Sequence, residues 1–267
     1  MAEPRGRVLI IAGSDSGGGA GVQADVKTVT ALGGYAATAI TAITVQNTLG
    51  VHGVHAVPAD VVRAQARAVL DDIGADAIKT GMLGDAAMVE AVARILADAP
   101  GIPAVVDPVM VAKGGASLLS PKALDALRAE LLPRATLLTP NAPEAEALTG
   151  LAIADTDDLR RAGERLLTAG ARAVLMKGGH VPGESVVDLL MTAQGETLFE
   201  GARIETRHTH GTGCTLASAC AVGLAQGMRL EYAVARAWAY TAEAIRRAPG
   251  FGAGAGPLDH GWTLRER

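Results

Sequence analysis

Cysteine is scarce in this chain of 267 residues, which contains only Cys214 and Cys220. If both lie on one helix, their separation in sequence places them about 9 Å apart along the axis and on different faces, so they cannot form a disulfide with each other. Lone thiols are typical of a reducing compartment. The chain also lacks CxxC spacing and a histidine pair at helical spacing, so it offers no structural zinc site.

Concentrated positive charge is also missing. The chain has 24 Lys and Arg against 28 Asp and Glu, a formal net charge of −4 and no block of basic residues. A protein that binds nucleic acid or a membrane surface would show a basic patch, so we expect neither partner and predict a small-molecule substrate instead. The apolar run 8–12 is too short for a signal peptide and is soon followed by Asp15. We therefore expect a cytoplasmic protein.

The composition is that of a folded protein with a sizeable core. Hydrophobic residues make up 49% of the chain and charged residues 19%, while the 33 glycines are spread over many short loops. The length allows one large α/β domain or two small ones. Because no linker, repeat or shift in composition divides the chain, we predict a single domain over residues 1–267.

Short apolar runs alternate with amphipathic patterns of helical length. This alternation predicts an α/β fold with a mostly parallel central sheet and helices on both faces. A hairpin-like pair at 186–204 predicts a sheet that is mixed at one side, and the four glycines of 250–256 predict a flexible loop. The predicted strands are 8–12, 36–45, 77–79, 104–106, 136–138, 173–176, 186–191 and 196–204, and the predicted helices are 21–32, 61–73, 86–97, 122–131, 158–169, 214–226 and 231–247.

The stretch HTHGTGCTLA at 208–217 places two glycines and a cysteine where a loop leads into an apolar helix. Glycine allows positive φ, and the first turn of a helix has unpaired N–H donors and a positive dipole end, so a phosphate would bind there. Cys214 would gain thiolate character at this position and could accept a proton from a nearby hydroxyl. A plain glycine turn followed by a core cysteine fits the stretch equally well.

Polar residues follow several of the predicted strands, at the sheet edge where ligands bind in α/β proteins. Lys177 supplies a cation there, and Asp107 and Glu144 supply acids that could hold Mg²⁺ through water. Each alone would usually be a cap or a solvent-exposed side chain, but their shared placement favours a phosphoryl-transfer site. Neither GxGxxG with a ribose-binding acid nor GxxxxGK[ST] occurs, so a Rossmann dehydrogenase and a P-loop enzyme are not supported.

Seven motifs carry a resemblance to a known family: AGSDSGGGAGVQADVKT at 12–28, VQNT at 45–48, KTGMLG at 79–84, DPVMVAKGG at 107–115, TPNAPEAEALTG at 139–150, KGGH at 177–180 and THGTGCTLASA at 209–219. Over about residues 8–259 the chain resembles the hydroxymethylpyrimidine/phosphomethylpyrimidine kinases of thiamine biosynthesis, which belong to the ribokinase-like superfamily. The resemblance implies a ribokinase-like three-layer sandwich and a kinase that uses ATP and Mg²⁺. It would phosphorylate 4-amino-5-hydroxymethyl-2-methylpyrimidine and then convert the monophosphate to the diphosphate. Relatives pack as dimers, so a homodimer is expected.

The resemblance also implies roles for individual residues. Cys214 occupies the position of the catalytic base, where most ribokinase-like enzymes have an aspartate and the pyrimidine kinases have a cysteine. Gln46 would read the aminopyrimidine edge, because a carboxamide presents a donor and an acceptor side by side. The implied catalytic residues are Cys214, Lys177, Gly211, Thr212 and Gly213; the ring pocket would contain Gln46, Gly13, Ala20, Asp25, Met82 and Val109; ATP would contact Asn141, Lys177, Thr209, Gly211 and Gly213; and Asp107 and Glu144 would hold Mg²⁺.

Some features depart from the family pattern or leave alternatives open. Gly114-Gly115-Ala116 replaces the more usual serine-glycine-acid, and His208 stands where asparagine is common. Asp25 could be a pocket acid or simply a charge near the start of its helix. A pyridoxal kinase of the same fold is the main alternative function, and a pyrimidine-binding sensor without catalysis is another. Gln46 and Met82 favour the pyrimidine, and the complete set of Lys177, acids and GTGC favours catalysis.

Overall fold

An eight-stranded sheet forms the centre of the protein in the computed structural model, which describes residues 5–110 and 120–265. The strands of this sheet are β1 (Arg7–Ala12), β2 (Tyr35–Ile40), β5 (Ala77–Thr80), β6 (Ala104–Val106), β7 (Leu137–Leu138), β8 (Ala173–Met176), β9 (Ser185–Thr192) and β10 (Gly195–Ala202). Two further strands, β3 (Ala42–Asn47) and β4 (Gly50–Ala56), pair in a separate antiparallel ribbon. The order across the main sheet is β10-β9-β8-β7-β6-β5-β1-β2.

The pairing is parallel from β2 across to β8 and antiparallel where β9 and β10 join the edge. The predicted hairpin is therefore present, and the prediction of a sheet that is mixed at one side is confirmed. The helices are α1 (Gly21–Ala31), α2 (Ala59–Asp72), α3 (Ala86–Asp98), α4 (Pro121–Ala126), α5 (Ala142–Thr149), α6 (Thr156–Thr168), α7 (Thr212–Ala225), α8 (Leu230–Arg246) and α9 (Trp262–Arg265).

Two hydrophobic cores lie on the two faces of the sheet. Alternate side chains of β1 enter different cores, because successive residues of a strand point to opposite faces. Leu9 and Ile11 pack with α2 to α6, whereas Val8 and Ile10 pack with α1, α7 and α8. The sheet therefore lies between two layers of helices. The predicted α/β fold class, a three-layer sandwich with helices on both faces of the sheet, is confirmed.

The structure differs from the predicted elements at several places. The predicted strand 36–45 divides at Thr41, whose N–H binds the Ala12 carbonyl and whose hydroxyl binds the Met82 carbonyl, so that β2 stays in the main sheet and β3 leaves it. The predicted helix 122–131 continues from α4 as a π-helical turn. The sequence patterns predict neither β4, which is mostly exposed, nor α5, which has only eight residues.

The glycine-rich segment 250–257, which we call the C-terminal strap, is packed against two loops. Ala255 N–H donates to the Thr48 carbonyl at 2.9 Å, and the Gly256 carbonyl accepts from His210 N–H at 3.2 Å. A Cβ at Gly254 would lie 2.0 Å from the Thr48 carbonyl oxygen, so this glycine is needed for close approach. The prediction of a loose, flexible loop is therefore wrong for this segment.

No helix within residues 5–110 and 120–265 is long and apolar enough to span a membrane.

A fully buried ion pair joins α1 to β5 beneath the carboxyl edge of the sheet. Lys79 Nζ lies 2.8 Å from Asp25 Oδ2, and both side chains are 0% exposed. The Ser218 hydroxyl of α7 donates to Asp25 Oδ1 at 2.7 Å. Although burial opposes its charge, Asp25 above all holds the pKa of Lys79 above its usual range.

Removing one partner of this pair should cost more stability than removing both. Lys79→Met leaves the Asp25 carboxylate buried without its cation, and we expect a loss of about 3–5 kcal/mol in the free energy of unfolding. The double variant Lys79→Met/Asp25→Leu has no buried charge and should recover most of that loss. Urea unfolding followed by circular dichroism measures both. A double variant as unstable as the single one would contradict the electrostatic explanation.

Candidate active site

A cleft of about 810 Å³ lies along the carboxyl ends of the parallel strands, which is the usual ligand position in an open α/β sheet. Its walls come from the loop after β1, the ribbon strand β3, the ends of β5 to β8 and the start of α7. All the predicted site residues except Asp25 line it: Gly13, Ala20, Gln46, Met82, Asp107, Val109, Asn141, Glu144, Lys177, Thr209, Gly211, Thr212, Gly213 and Cys214. The structure therefore brings together residues from seven separated stretches of sequence.

The first turn of α7 forms one wall of the cleft. Gly211 is its N-cap and has φ of 87°, a left-handed conformation that favours glycine. A Cβ there would lie 1.8 Å from the Gly19 carbonyl oxygen, so Gly211 also lets the two glycine-rich loops touch. The first N–H groups of an α-helix have no partner within the helix. This wall can bind an anion.

A positive charge faces this helix start. Lys177 Nζ lies 3.1 Å from Asp107 Oδ1 and 4.0 Å from Glu144 Oε2. A Cβ added at Gly213 would lie 3.2 Å from the same Nζ. Although burial opposes the charge, Asp107 and Glu144 keep the pKa of Lys177 above its usual range, so the side chain is a cation at neutral pH. We call Lys177, Asp107, Glu144 and the first turn of α7 the phosphate end of the cleft.

The chain positions these charges through short local structures. Asn141 and Glu144 form a capping box at the start of α5, in which each side chain accepts from the other residue's N–H at 2.8 to 2.9 Å. Lys177 follows β8, and its N–H donates to the Pro140 carbonyl at 2.9 Å. The Thr139 hydroxyl donates to Asp107 Oδ1 at 3.0 Å. Adjacent parallel strands therefore deliver all three charged groups to one point.

The two acids suit a cation that arrives with phosphates. Burial raises the pKa of Glu144 to about 7, with Lys177 opposing that rise and Asp107 adding to it. Mg²⁺ is usually bound through one or two carboxylates, waters and substrate phosphates. Across residues 5–110 and 120–265 there is no group of three or more His, Cys, Asp and Glu that could hold a metal ion. The donor set of the described residues fits Mg²⁺ that arrives with the phosphates of a bound nucleotide.

The other end of the cleft is suited to a small ring. A Cβ at Gly13 would lie 2.4 Å from the Met82 methyl carbon, so this glycine lets Met82 pack directly on the loop after β1. Ala20 and Val109 add small apolar surface to the lining. Gln46, on β3, presents the carboxamide of this wall, with its Nε2 3.2 Å from His210 Nε2 and its Oε1 3.2 Å from the Thr44 hydroxyl. We call this region the ring end.

Cys214 lies in the first turn of α7, facing the cleft between the ring end and the phosphate end. Burial raises the pKa of its thiol to about 12, although the Lys79 ammonium acts in the opposite direction. The expectation that the helix N-terminus favours a thiolate at Cys214 is therefore wrong. Desolvation of the thiolate, together with the Asp25 and Asp107 carboxylates, outweighs the Lys79 ammonium and the Gly21 N–H.

Asp25 is placed differently from the pocket acid that the resemblance implies. It is fully buried on α1, and its carboxylate is engaged by Lys79 and Ser218. It lies behind the cleft and does not line it. The alternative of a simple charge near the helix start is also wrong, because such a charge would be solvated.

Several polar residues of the cleft were missed by the sequence analysis. Asp15 and His210 form a buried pair at 2.8 Å, and both stand inside motifs quoted above, where an acid and a histidine offered a signal. Asp188 accepts from Gly178 N–H at 2.8 Å, and burial raises its pKa to about 6. A single acid within the predicted strand 186–191 gives no such signal. His208 accepts from Gly256 N–H of the strap, while residues 114–116 lie outside the described part of the chain.

Comparison with solved structures defines the class. The chain is similar to pyridoxal kinase from Bacillus subtilis, solved as an ADP complex, with a TM-score of 0.91, 37% identity and coverage of 98% of this chain and 100% of that one. It is also similar to phosphomethylpyrimidine kinase from Clostridium difficile 630, with a TM-score of 0.80, 42% identity and coverage of 90% and 99%. The fold is that of a ribokinase-like small-molecule kinase, a class that uses ATP as co-substrate.

Sequence comparison identifies the family within that class. Residues 15–259 match the model of the family described as Phosphomethylpyrimidine kinase. The hydroxymethylpyrimidine/phosphomethylpyrimidine kinase of Streptomyces coelicolor is 52% identical over 259 residues, which cover 97% of this chain and 96% of that protein. The protein of the same description from Bacillus subtilis is 47% identical, with coverage of 95% and 94%. The chain belongs to the phosphomethylpyrimidine kinase family.

The two cysteines should react differently with a thiol reagent. Cys214 lines the cleft, whereas Cys220 is 0% exposed, so alkylation should occur first at Cys214. Because the pKa of Cys214 is raised to about 12, its rate should still be rising between about pH 8 and about pH 10, as more thiolate forms. Mass spectrometry of labelled peptides measures this, with Cys214→Ser as control. A rate that levels off near neutral pH would show a stabilised thiolate instead.

Proposed function

We propose that this protein is an ATP-dependent kinase that phosphorylates the hydroxymethyl group of 4-amino-5-hydroxymethyl-2-methylpyrimidine and then converts the monophosphate to the diphosphate. The observation that carries the proposal is the single cleft in which a ring end with Gln46 and a phosphate end with Lys177 meet at Cys214. Membership of the family and the descriptions of its relatives support the same activity.

The ring end supports recognition of an aminopyrimidine. Such a ring presents an exocyclic amine donor beside a ring-nitrogen acceptor, and the Gln46 carboxamide offers the complementary acceptor and donor. Gly13, Ala20, Met82 and Val109 would form the ring pocket. This small apolar lining suits a flat ring whose substituents are an amino, a methyl and a hydroxymethyl group.

The phosphate end supports transfer of a phosphoryl group. We assign the anion hole to the backbone of Gly211, Thr212 and Gly213 and the stabilising charge to Lys177. Donors and cations fixed before the reaction stabilise charge that develops on the transferring group without reorganising. Asn141 and Thr209 line the same part of the cleft and are assigned to ATP.

Mg²⁺ is part of the proposal. Asp107 and Glu144 would hold it, and when bound it supplies positive charge that neutralises the phosphates. Glu144, whose pKa is raised to about 7, must be ionised to act as a ligand, so binding of the cation would favour its deprotonated form. Lys177, held between the two acids, prevents their repulsion before the cation arrives.

Cys214 is assigned the role of general base for the first phosphorylation. Its position between the two ends is where the hydroxymethyl oxygen would lie. A thiol whose pKa is raised to about 12 is rarely ionised at neutral pH, but the thiolate, once formed, is a strong base toward an alcohol. The Lys79 ammonium stabilises that thiolate by its positive charge.

A homodimer and a cytoplasmic location also belong to the proposal. Alternate residues of β3 point to opposite sides of the ribbon, and Thr44 and Gln46 face the cleft. Ile43 and Val45, on the other side, are 55% and 52% exposed. An exposed apolar face on a ribbon is suited to burial against a second copy.

Pyridoxal kinase is the second candidate, since solved pyridoxal kinases are similar to this chain at a TM-score of 0.91. ATP consumption with hydroxymethylpyrimidine, its monophosphate and pyridoxal, measured in parallel, separates the two. We expect both pyrimidines to be phosphorylated, with kcat/KM at least about 100-fold above that for pyridoxal, because only the pyrimidine pairs with both ends of the carboxamide. Equal or faster use of pyridoxal would favour the second candidate, and no turnover would favour a sensor.

A further inference from the structure

The carboxamide of Gln46 has two ends of nearly identical shape, and the groups around it decide which end points where. One neighbour is the Thr44 hydroxyl, at 3.2 Å. That hydroxyl donates its single hydrogen to the Ser14 carbonyl at 2.7 Å. The hydroxyl oxygen can therefore only accept a second hydrogen bond. Thr44 is therefore best matched by the amide nitrogen of Gln46.

The other neighbour is His210 Nε2, at 3.2 Å from the Gln46 carboxamide. The same nitrogen lies 2.8 Å from Asp15 Oδ2. Asp15 also accepts from the N–H groups of Gly17, Gly19 and Ala20 at 2.8, 3.1 and 2.8 Å. A carboxylate with this many donors is ionised and only accepts. His210 Nε2 therefore carries a hydrogen, and it is best matched by the amide oxygen of Gln46.

Both neighbours select the same orientation of the carboxamide, with Oε1 toward His210 and Nε2 toward Thr44, so we exchange the amide oxygen and nitrogen relative to the placement described above. The opposite orientation would set donor against donor at His210 and acceptor against acceptor at Thr44. A buried donor that faces another donor, or an acceptor that faces another acceptor, makes no hydrogen bond and costs free energy. The amide group of Gln46 is therefore held in one of its two possible orientations before any ligand binds.

His210 is itself held in place from three sides. Its side chain is mostly buried, and a Cβ at Gly19 would lie 2.6 Å from its Cδ2, so the loop after β1 packs directly on the ring. Its backbone N–H donates to the Gly256 carbonyl of the C-terminal strap at 3.2 Å. Asp15 fixes the ring nitrogen from the third side. The His210 imidazole is therefore unable to rotate to accommodate the other orientation of the Gln46 amide.

We propose that Asp15 and His210 are positioning residues that fix the Gln46 carboxamide and so make the ring end selective for the 4-amino form of the pyrimidine, with the amine on the His210 side. The proposal rests on the proposed function for the ring that enters the cleft. The fixed oxygen accepts from the exocyclic amine, and the fixed N–H donates to the adjacent ring nitrogen. A 4-oxo ring presents an oxygen acceptor and an N–H donor in these places, and both would be mispaired.

Calorimetric binding of the 4-amino pyrimidine and its 4-oxo analogue tests this proposal without requiring phosphoryl transfer. We expect the wild-type protein to bind the 4-amino form about 10- to 100-fold more tightly. In His210→Leu one of the two constraints on the carboxamide is lost, so this selectivity should fall to within a few-fold while the 4-oxo analogue gains affinity. Gain of affinity for the wrong ring is a result that simple damage to the loop cannot produce.

Matched variants separate positioning from packing. His55→Leu removes an exposed histidine of β4, and it should keep the wild-type selectivity. His210→Gln retains an N–H donor that can reach Asp15 and should restore part of the selectivity. Thr44→Val removes the second constraint from a different element, so it tests the same idea even if His210→Leu does not fold, which thermal unfolding reports.

Two results would overturn the inference: equal binding of the two rings by the wild-type protein, or unchanged selectivity in both His210→Leu and Thr44→Val. A uniform loss of affinity for both rings in these variants would equally show that the residues only pack. Selective binding of the 4-amino ring without phosphorylation by ATP would instead contradict the proposed function and leave the positioning role standing.

Discussion

The Lys177 ammonium, held between Asp107 and Glu144 and facing the first turn of α7, is the interaction on which the rest of the site depends. Burying either the ammonium or the carboxylates alone would carry a large free-energy penalty. Each charge is therefore stable in this position only because the opposite charge is present. The fold meets this requirement by ending β6, β7 and β8 at one point of the sheet edge. Glycine at 213 then lets the helix start approach the ammonium.

The ring end is joined to this charged centre by backbone packing. Gly19 and Gly211 touch across two loops, and Asp15 with His210 adds a buried hydrogen bond over the same contact. The C-terminal strap then ties the loop before α7 to the turn of the β3–β4 ribbon. A ligand that contacts Gln46 therefore lies at a fixed distance from the helix start, which is the condition for transfer between two bound molecules.

The sequence was informative where one local pattern determines one local structure. Short apolar runs predicted the buried strands, and the GTGC stretch predicted a glycine-rich helix start, which the structure has at Gly211. Features that depend on distant contacts could not be predicted in this way. Asp25 can be buried on α1 because Lys79 reaches it from β5, and the thiol of Cys214 is protonated because desolvation outweighs the Lys79 ammonium. The glycines of 250–256 led to the prediction of a flexible loop, but in the structure they permit close packing on Thr48.

The most direct test of the central claim is to replace Lys177 by Met and measure kcat and pyrimidine affinity separately, with Lys122→Met on the exposed face of α4 as control. If the Lys177 charge acts mainly on the transferring phosphoryl group, kcat should fall by about 100-fold or more while the dissociation constant of the pyrimidine stays within about twofold. The control should match the wild-type protein. Unchanged kcat, or an equal loss in kcat and in pyrimidine affinity, would contradict the account.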